Sequence, residues 1–201
     1  MTVLGVGINA QGWVMKMEYG NVAEIPVFLL TQFGRGFAVM SGYYCSGNVS
    51  GSHINPATTI SMAIFRRSPW THIPFYILSQ FLGCLIASFL VRRYYYPSFL
   101  YYTELSAWTD ISSINSTARI FATFPANGAN NGFACFAEFL GTAIMVIIIF
   151  ATADMSNLPA ERSAPLIVAL VTMTIGFSFG YTGWAFNSLR DFAGRIVFVR
   201  H

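Results

Sequence analysis

Two asparagines, Asn55 and Asn187, each stand between a loop and a short apolar segment. Asparagine is a favoured helix N-cap, and Pro56 suits the first helical position after the first of them. We therefore predict two short helices, over residues 56–65 and 188–199. The loop before each asparagine follows the pattern Gly-x-x-x-Asn: Gly51-Ser52-His53-Ile54 and Gly183-Trp184-Ala185-Phe186.

This repeated arrangement could recognise a small polar solute. Helices this short cannot cross a hydrocarbon core, which takes about 20 residues, and irregular backbone at membrane depth is tolerated only where it lines a polar path. Asn55 and Asn187 would donate amide N–H groups to one solute oxygen. The two helix N-termini each carry about half a positive charge, so cations would meet a barrier there. The carbonyl groups of six loop residues would form a ladder of hydrogen-bond acceptors along such a path: Gly51, Ser52, His53, Gly183, Trp184 and Ala185.

The composition points to a membrane and away from soluble enzymes. The chain is 55% hydrophobic and 9% charged, whereas about a quarter of the residues in soluble domains are charged. The net charge of +3 comes from dispersed Lys and Arg, which do not form the basic patch that nucleic acid requires. We see no catalytic triad, phosphate loop or metal-ligand spacing, so no enzyme activity, metal or cofactor is predicted.

Four apolar stretches are candidates for membrane-spanning helices: 25–47, 72–91, 133–153 and 164–181. Residues 3–10 would be the tail of a further helix that precedes them. Paired interrupted segments in corresponding halves indicate an inverted repeat with the functional site between the halves. We predict one all-α membrane domain over residues 1–201, with two re-entrant half-helices.

The charge distribution suggests an orientation. Arg66 and Arg67 follow the first half-helix, and positive residues favour the cytoplasmic side. The connection 154–163 would then also lie inside, and a long loop over 94–131 would lie outside. That loop carries the glycosylation sequon that begins at Asn115.

The motifs resemble those of the aquaporin family. The segment Ser50-Gly51-Ser52-His53-Ile54-Asn55-Pro56-Ala57 is similar to the family's first Asn-Pro-Ala box, and Phe186-Asn187-Ser188-Leu189-Arg190 to the second box and its arginine. Ala137-Glu138-Phe139-Leu140-Gly141-Thr142 resembles the start of a middle helix. Asp191 after Arg190, and Arg195 beyond it, look like the glycerol-conducting branch. The resemblance covers essentially the whole chain.

The resemblance implies roles for individual residues. Arg190 would stand at the outer constriction, where it donates to hydroxyl groups and repels cations; otherwise it binds structural carbonyls. Trp184 would form an apolar wall or lie at the lipid interface, and Gly176 would leave space at the constriction or serve helix packing. His53 supports its loop better than it binds metal, since no second ligand stands at metal spacing. Asp191 belongs to the implied pore set, and three residues would give structural support: Pro56, Ala57 and Glu138.

Three features depart from the family pattern. Most of the first helix and all of the last are expected to be missing, which suggests a partial chain. Ser188 and Leu189 replace the Pro-Ala of the second box, and Leu189 would crowd the meeting point of the half-helices. Arg35 stands where the family has an aromatic or small residue facing the constriction; it either enters the pore or snorkels outward.

The leading functional expectation is a multi-pass channel, in the plasma membrane, for passive transport of glycerol, small neutral solutes and water. A full-length version would form a homotetramer in the lipid bilayer. The alternative is a non-conducting truncated subunit that associates with full-length channels.

Overall fold

The computed structural model describes residues 1–105, 116–125, 129–156, 162–180 and 183–199. Within these ranges the regular structure is entirely helical. The α-helices are α1 Thr2–Tyr19, α2 Glu24–Ser50, α3 Pro56–Ile64, α4 Ile73–Leu105, α5 Ala118–Phe121, α6 Asn131–Thr152, α7 Ala164–Phe179 and α8 Ser188–Val199. Short 3-10 turns, Gly20–Ala23 and Trp70–His72, precede α2 and α4. The all-α prediction is confirmed.

Three helical stretches of the described chain are long and apolar enough to cross a membrane. They are Thr2–Ser50, which includes α1 and α2, Trp70–Tyr102 and Asn131–Thr152. Helix α7 has 16 residues, so its length of about 24 Å falls short of a core of about 30 Å. Large apolar side chains stay exposed on the outer faces of these helices, for example Phe75 of α4 and Phe139 of α6. Such faces are suited to lipid.

The helices are arranged as two related halves. Helix α2 leads into the half-helix α3, and α7 leads into the half-helix α8. The two leading helices pack against each other, and each also packs against the helix before it, α1 against α2 and α6 against α7. Helix α3 packs against α4 and α6, whereas α8 packs against α4 and α5. The loops before α3 and α8 are thereby brought face to face.

Two helices extend at least nine residues beyond their predicted ends. Helix α1 continues past residue 10 to Tyr19, and α4 continues past residue 91 to Leu105 through Pro97. The predicted loop over 94–131 was wrong at its start for that reason. Trp13 of α1 holds the extension, because its ring packs edge-on against Phe99 at 5.5 Å and against Tyr102 at 5.6 Å.

The connections after α3 and α6 lie together, as the predicted orientation requires. Arg67 donates to the carbonyl oxygen of Ala153 at 3.3 Å. Beside it, the backbone N–H and hydroxyl of Ser156 both donate to Asp154, at 2.9 and 2.7 Å. These bonds lower the pKa of Asp154. Asn115 lies outside the described residues, so its sequon stays a prediction.

Candidate pore and constriction

Both half-helices begin at the asparagines that the sequence predicted. The Asn55 side chain accepts from the backbone N–H of Ala57 at 2.9 Å, with Pro56 at the first helical position. Asn187 Oδ1 accepts from the backbone N–H of Arg190 at 3.1 Å. Each cap satisfies a donor that the first helical turn leaves without a partner.

The two asparagines also join the halves of the molecule. Asn55 Nδ2 donates to the carbonyl oxygen of Phe186 at 2.6 Å, and Asn187 Nδ2 donates to that of Ile54 at 2.7 Å. Each amide group thus donates one N–H to the opposite loop, and its second N–H can donate to another partner. Each asparagine thus binds the backbone of the residue directly before the other asparagine.

The repeat extends to the backbone conformation of the loops. Positive φ angles occur at the same three places before each asparagine: 68°, 53° and 38° at Gly51, Ser52 and Ile54, and 86°, 36° and 42° at Gly183, Trp184 and Phe186. Non-glycine residues rarely adopt this region, and each such case costs about 1–3 kcal/mol. The carbonyl groups that accept from the opposite asparagine belong to the strained Ile54 and Phe186. The exchanged hydrogen bonds therefore help to hold the strained loops.

A cavity of about 100 Å³ runs past this junction. Its lining combines polar residues, among them Asn55, Asn187 and Tyr43, with apolar residues such as Met145 and Ile149. A space with both kinds of lining suits a solute that carries hydroxyl groups on a carbon chain. Six of the predicted pore residues line it: Asn55, Asn187, Arg190, Trp184, His53 and Ala185.

Arg190 and Trp184, which the sequence predicted at a constriction, line the same cavity. Arg190 is 9% exposed and Trp184 is 6% exposed. Gly176 makes room for Trp184, because a Cβ atom at Gly176 would lie 2.6 Å from the Trp184 ring and 2.1 Å from Gln32 Oε1. The guanidinium of Arg190 makes no hydrogen bond with any residue in the described ranges, and Arg190 lines the cavity.

Arg35 enters the same cavity and does not snorkel outward. Its guanidinium lies 4.5 Å from the centre of the Trp184 ring and donates to the carbonyl oxygen of Gly183 at 3.3 Å. Nε and Nη2 donate to Asn9 Oδ1 at 3.3 and 3.2 Å, while the Asn9 amide is itself anchored on the carbonyl oxygen of Ile120. The alternative that the sequence left open is settled by these contacts.

Glu138 of α6 braces the second loop. Its two carboxylate oxygens accept from the backbone N–H groups of Ala185 and Phe186, at 3.0 and 2.9 Å. An irregular loop at membrane depth cannot satisfy its N–H groups with lipid. The carboxylate therefore fills a need that the loop conformation creates.

Replacing Glu138 with glutamine is expected to destabilise the protein. The amide has one acceptor oxygen, so either Ala185 or Phe186 keeps an unpaired N–H, at a cost of about 1–3 kcal/mol. Thermal unfolding of the purified chain in detergent measures the loss as a midpoint lowered by several degrees. Glu24→Gln is the matched control, because Glu24 is exposed in the first turn of α2. Equal midpoints for the two variants would show that the brace is not needed.

The first loop is supported by contacts of another kind. The Ser52 hydroxyl donates to the carbonyl oxygen of Tyr43 at 2.9 Å. The His53 ring stacks on Tyr76 with 4.6 Å between the ring centres, and the Tyr76 hydroxyl donates to the carbonyl oxygen of Ser50 at 2.8 Å. Among the described residues no cluster of three or more His, Cys, Asp and Glu side chains could hold a metal ion.

Five predicted pore residues do not line the cavity: Gly51, Ser52, Gly176, Gly183 and Asp191. For Asp191 this corrects the prediction. Its carboxylate accepts from the backbone N–H and hydroxyl of Thr123, at 2.6 and 2.8 Å, and from Arg195 Nε at 2.7 Å. Asp191 therefore ties α8 to the segment that follows α5.

Several cavity residues were missed by sequence reasoning. Most are apolar residues on helix faces, which belong to no motif. The others are Ile54 and Phe186, whose carbonyl groups accept from the asparagines. Their matching positions, each directly before an asparagine, were the usable signal in the sequence. The apolar residues concerned include Ala38, Val39, Met145, Ile149, Val168 and Ile175.

Comparison with known proteins agrees with this geometry. The sequence profile described as "Major intrinsic protein" matches residues 1–201. The chain is 37% identical over 198 residues to Aquaglyceroporin-2 of Rhizophagus irregularis, covering 98% of this chain and 60% of that protein. It is 35% identical to human Aquaporin-9, covering 98% of this chain and 64% of the relative. The chain thus spans about 60% of the length of these relatives.

The fold is also that of a solved channel. The X-ray structure of the aquaglyceroporin from Plasmodium falciparum superimposes with a TM-score of 0.73 at 22% identity, over 98% of this chain and 78% of that one. The family profile and this fold agree with the two capped half-helices and the exchanged asparagine bonds, since all of them indicate the same inverted repeat. The chain therefore belongs to the major intrinsic protein family of membrane channels.

Proposed function

We propose that this chain forms the pore of a channel that conducts glycerol, other small neutral solutes and water passively. The observation that carries the proposal is the pair of exchanged bonds, Asn55 to Phe186 and Asn187 to Ile54, beside a cavity. This junction leaves one N–H of each asparagine available to a solute oxygen. It also directs two helix N-termini at the path, which opposes cations.

The glycerol preference is supported by the walls of the constriction. The indole of Trp184 and the phenyl ring of Phe186, with ring centres 5.4 Å apart, provide an apolar surface for a carbon chain. The guanidinium of Arg190, which has no hydrogen-bond partner among the described residues, provides donors for hydroxyl groups. Relatives named aquaglyceroporins, in Rhizophagus irregularis and in Botryotinia fuckeliana, point the same way.

A vesicle assay tests the proposal. Purified chain is reconstituted into liposomes, and light scattering follows shrinkage and re-swelling in glycerol and in an impermeant sugar run in parallel. We expect faster water efflux than in empty liposomes and re-swelling in glycerol. Rates of water efflux and of glycerol re-swelling that both equal those of empty liposomes would contradict the channel proposal.

The alternative is a non-conducting subunit that associates with full-length channels. The Arg35 side chain favours it, because Arg35 lines the cavity that would form the solute path. Co-reconstitution with a full-length relative would then lower the flux per relative molecule. The expected homotetramer, the plasma-membrane location and the cytoplasmic placement of Arg66 and Arg67 belong to the leading proposal.

A further inference from the structure

The constriction holds two guanidinium groups, which is more positive charge than passage of a neutral solute needs. Arg35 and Arg190 come from α2 and α8 and line one cavity. Arg190 is 9% exposed, and its guanidinium has no hydrogen-bond partner in the described part of the chain. A buried charge without a partner is costly, so such groups are normally paired.

Arg35 is held in place and still has donors to offer. A guanidinium has five N–H groups, and three of those on Arg35 are used on Asn9 and Gly183. Stacking on Trp184 at 4.5 Å fixes its plane. Arg35 is therefore a preoriented cation on the cavity wall, and two of its N–H groups have no hydrogen-bond partner among the described residues.

The nearby acidic side chains do not balance this charge. Glu138 interacts electrostatically with both arginines, but its oxygens are occupied by the N–H groups of Ala185 and Phe186. Asp191 also acts on Arg190, and it is paired with Arg195 at 2.7 Å. With the Asp191–Arg195 pair counted as neutral, two guanidinium groups against one carboxylate leave one excess positive charge. The N-terminus of α8 adds to this potential.

We propose that the space between Arg35 and Arg190 is a binding site for a small monocarboxylate anion. One negative charge would cancel the excess, and a planar carboxylate matches the fork of a guanidinium. The cavity of about 100 Å³ has room for a small anion such as formate. The inference rests on the constriction of the proposed channel, and an occupied site would lower the flux of neutral solutes.

Binding can be measured without any flux. The purified chain in phosphatidylcholine nanodiscs is titrated with radiolabelled formate, and formamide, a neutral molecule of nearly the same shape, serves as competitor. We expect saturable formate binding that formamide does not displace. In Arg35→Phe a ring that can stack on Trp184 remains and the charge is lost, so formate binding should weaken at least tenfold. Arg67→Gln makes the same charge change on the opposite side of the fold, next to Ala153, and should leave binding unchanged.

A second variant covers the case in which Arg35→Phe does not fold. Arg35→Lys keeps the charge and loses the fork, so it should bind formate more weakly than the natural chain and more strongly than any folded uncharged variant at this position. Absence of saturable formate binding, equal displacement by formamide, or equal losses in Arg35→Phe and Arg67→Gln would each overturn the proposal. Failure of the vesicle assay with intact formate binding would reject the neutral-solute channel and keep the anion site.

Discussion

Replacing Arg190 with alanine is expected to raise glycerol flux several-fold and to open the pore to cations. The side chain narrows the cavity beside Trp184, and its charge repels cations that approach the junction. Two unit charges about 6 Å apart at an effective dielectric constant of 20 repel by about 3 kcal/mol, which corresponds to roughly a hundredfold barrier. Arg35 remains in the variant, so the loss is expected to be partial.

The measurement uses vesicles loaded with a pH-sensitive dye, in which proton leak and glycerol re-swelling are followed on the same preparation. Arg190→Lys separates charge from shape, because it should keep the cation barrier and lose the planar donors. Arg67→Ala, at the connection after α3, controls for the change in net charge. Unchanged glycerol flux and unchanged proton leak in Arg190→Ala would show that Arg190 does not control which solutes pass.

The half-helices could be predicted because their signals are local. Asn55 with Pro56, and Asn187 alone, mark helix starts through chemistry that acts within one turn. The structure begins α3 and α8 at the residues that follow these caps and ends them within one residue of the predicted bounds. The repeat could be read for the same reason, since both loops carry glycine four residues before asparagine.

The contacts of Arg35 could not be read from the sequence. Its partners lie 26 and 148 residues away, at Asn9 and Gly183, and no periodicity links such distant positions. A lone arginine in an apolar helix is equally consistent with a pore and with the lipid interface. Only the packing of α1 against α2, which brings Asn9 beside Arg35, decides between them.

Asp191 shows a different reason for failure. Its place next to Arg190 suggested a pore role, but helical geometry turns successive side chains about 100° apart. The two residues therefore face different neighbours, Arg190 the cavity and Asp191 the Thr123 backbone. Adjacency in the sequence does not imply a shared site.

Leu189 was expected to crowd the junction of the half-helices. The exchanged asparagine bonds nevertheless form at 2.6 and 2.7 Å, so Ser188 and Leu189 are compatible with a closed junction. The Leu189 side chain is half-buried, so part of it can lie outside the contact between the half-helices. The overpacking argument assumed a rigid, fully enclosed position.

Replacing Asn187 with leucine is expected to cost about 1.5–5 kcal/mol of stability and to abolish solute flux. Leucine removes the cap on the backbone N–H of Arg190, worth about 0.5–2 kcal/mol, and leaves the Ile54 carbonyl without its donor, at about 1–3 kcal/mol. The strained backbone at Ile54 would then relax, and the cavity would lose one of its polar lining residues.

Two other variants isolate the contribution of the exchanged bond, with thermal unfolding in detergent and vesicle flux as the measurements. Asn130→Ala removes an ordinary cap, since Asn130 Oδ1 accepts from the Phe133 N–H at 2.8 Å at the exposed start of α6, and should cost about 1 kcal/mol. Asn187→Asp keeps the cap acceptor, loses the donor to Ile54 and adds a negative charge, so it should destabilise less than leucine and admit cations. If Asn187→Leu costs no more than Asn130→Ala, the bond to Ile54 adds nothing to stability, and the asparagines serve only as helix caps.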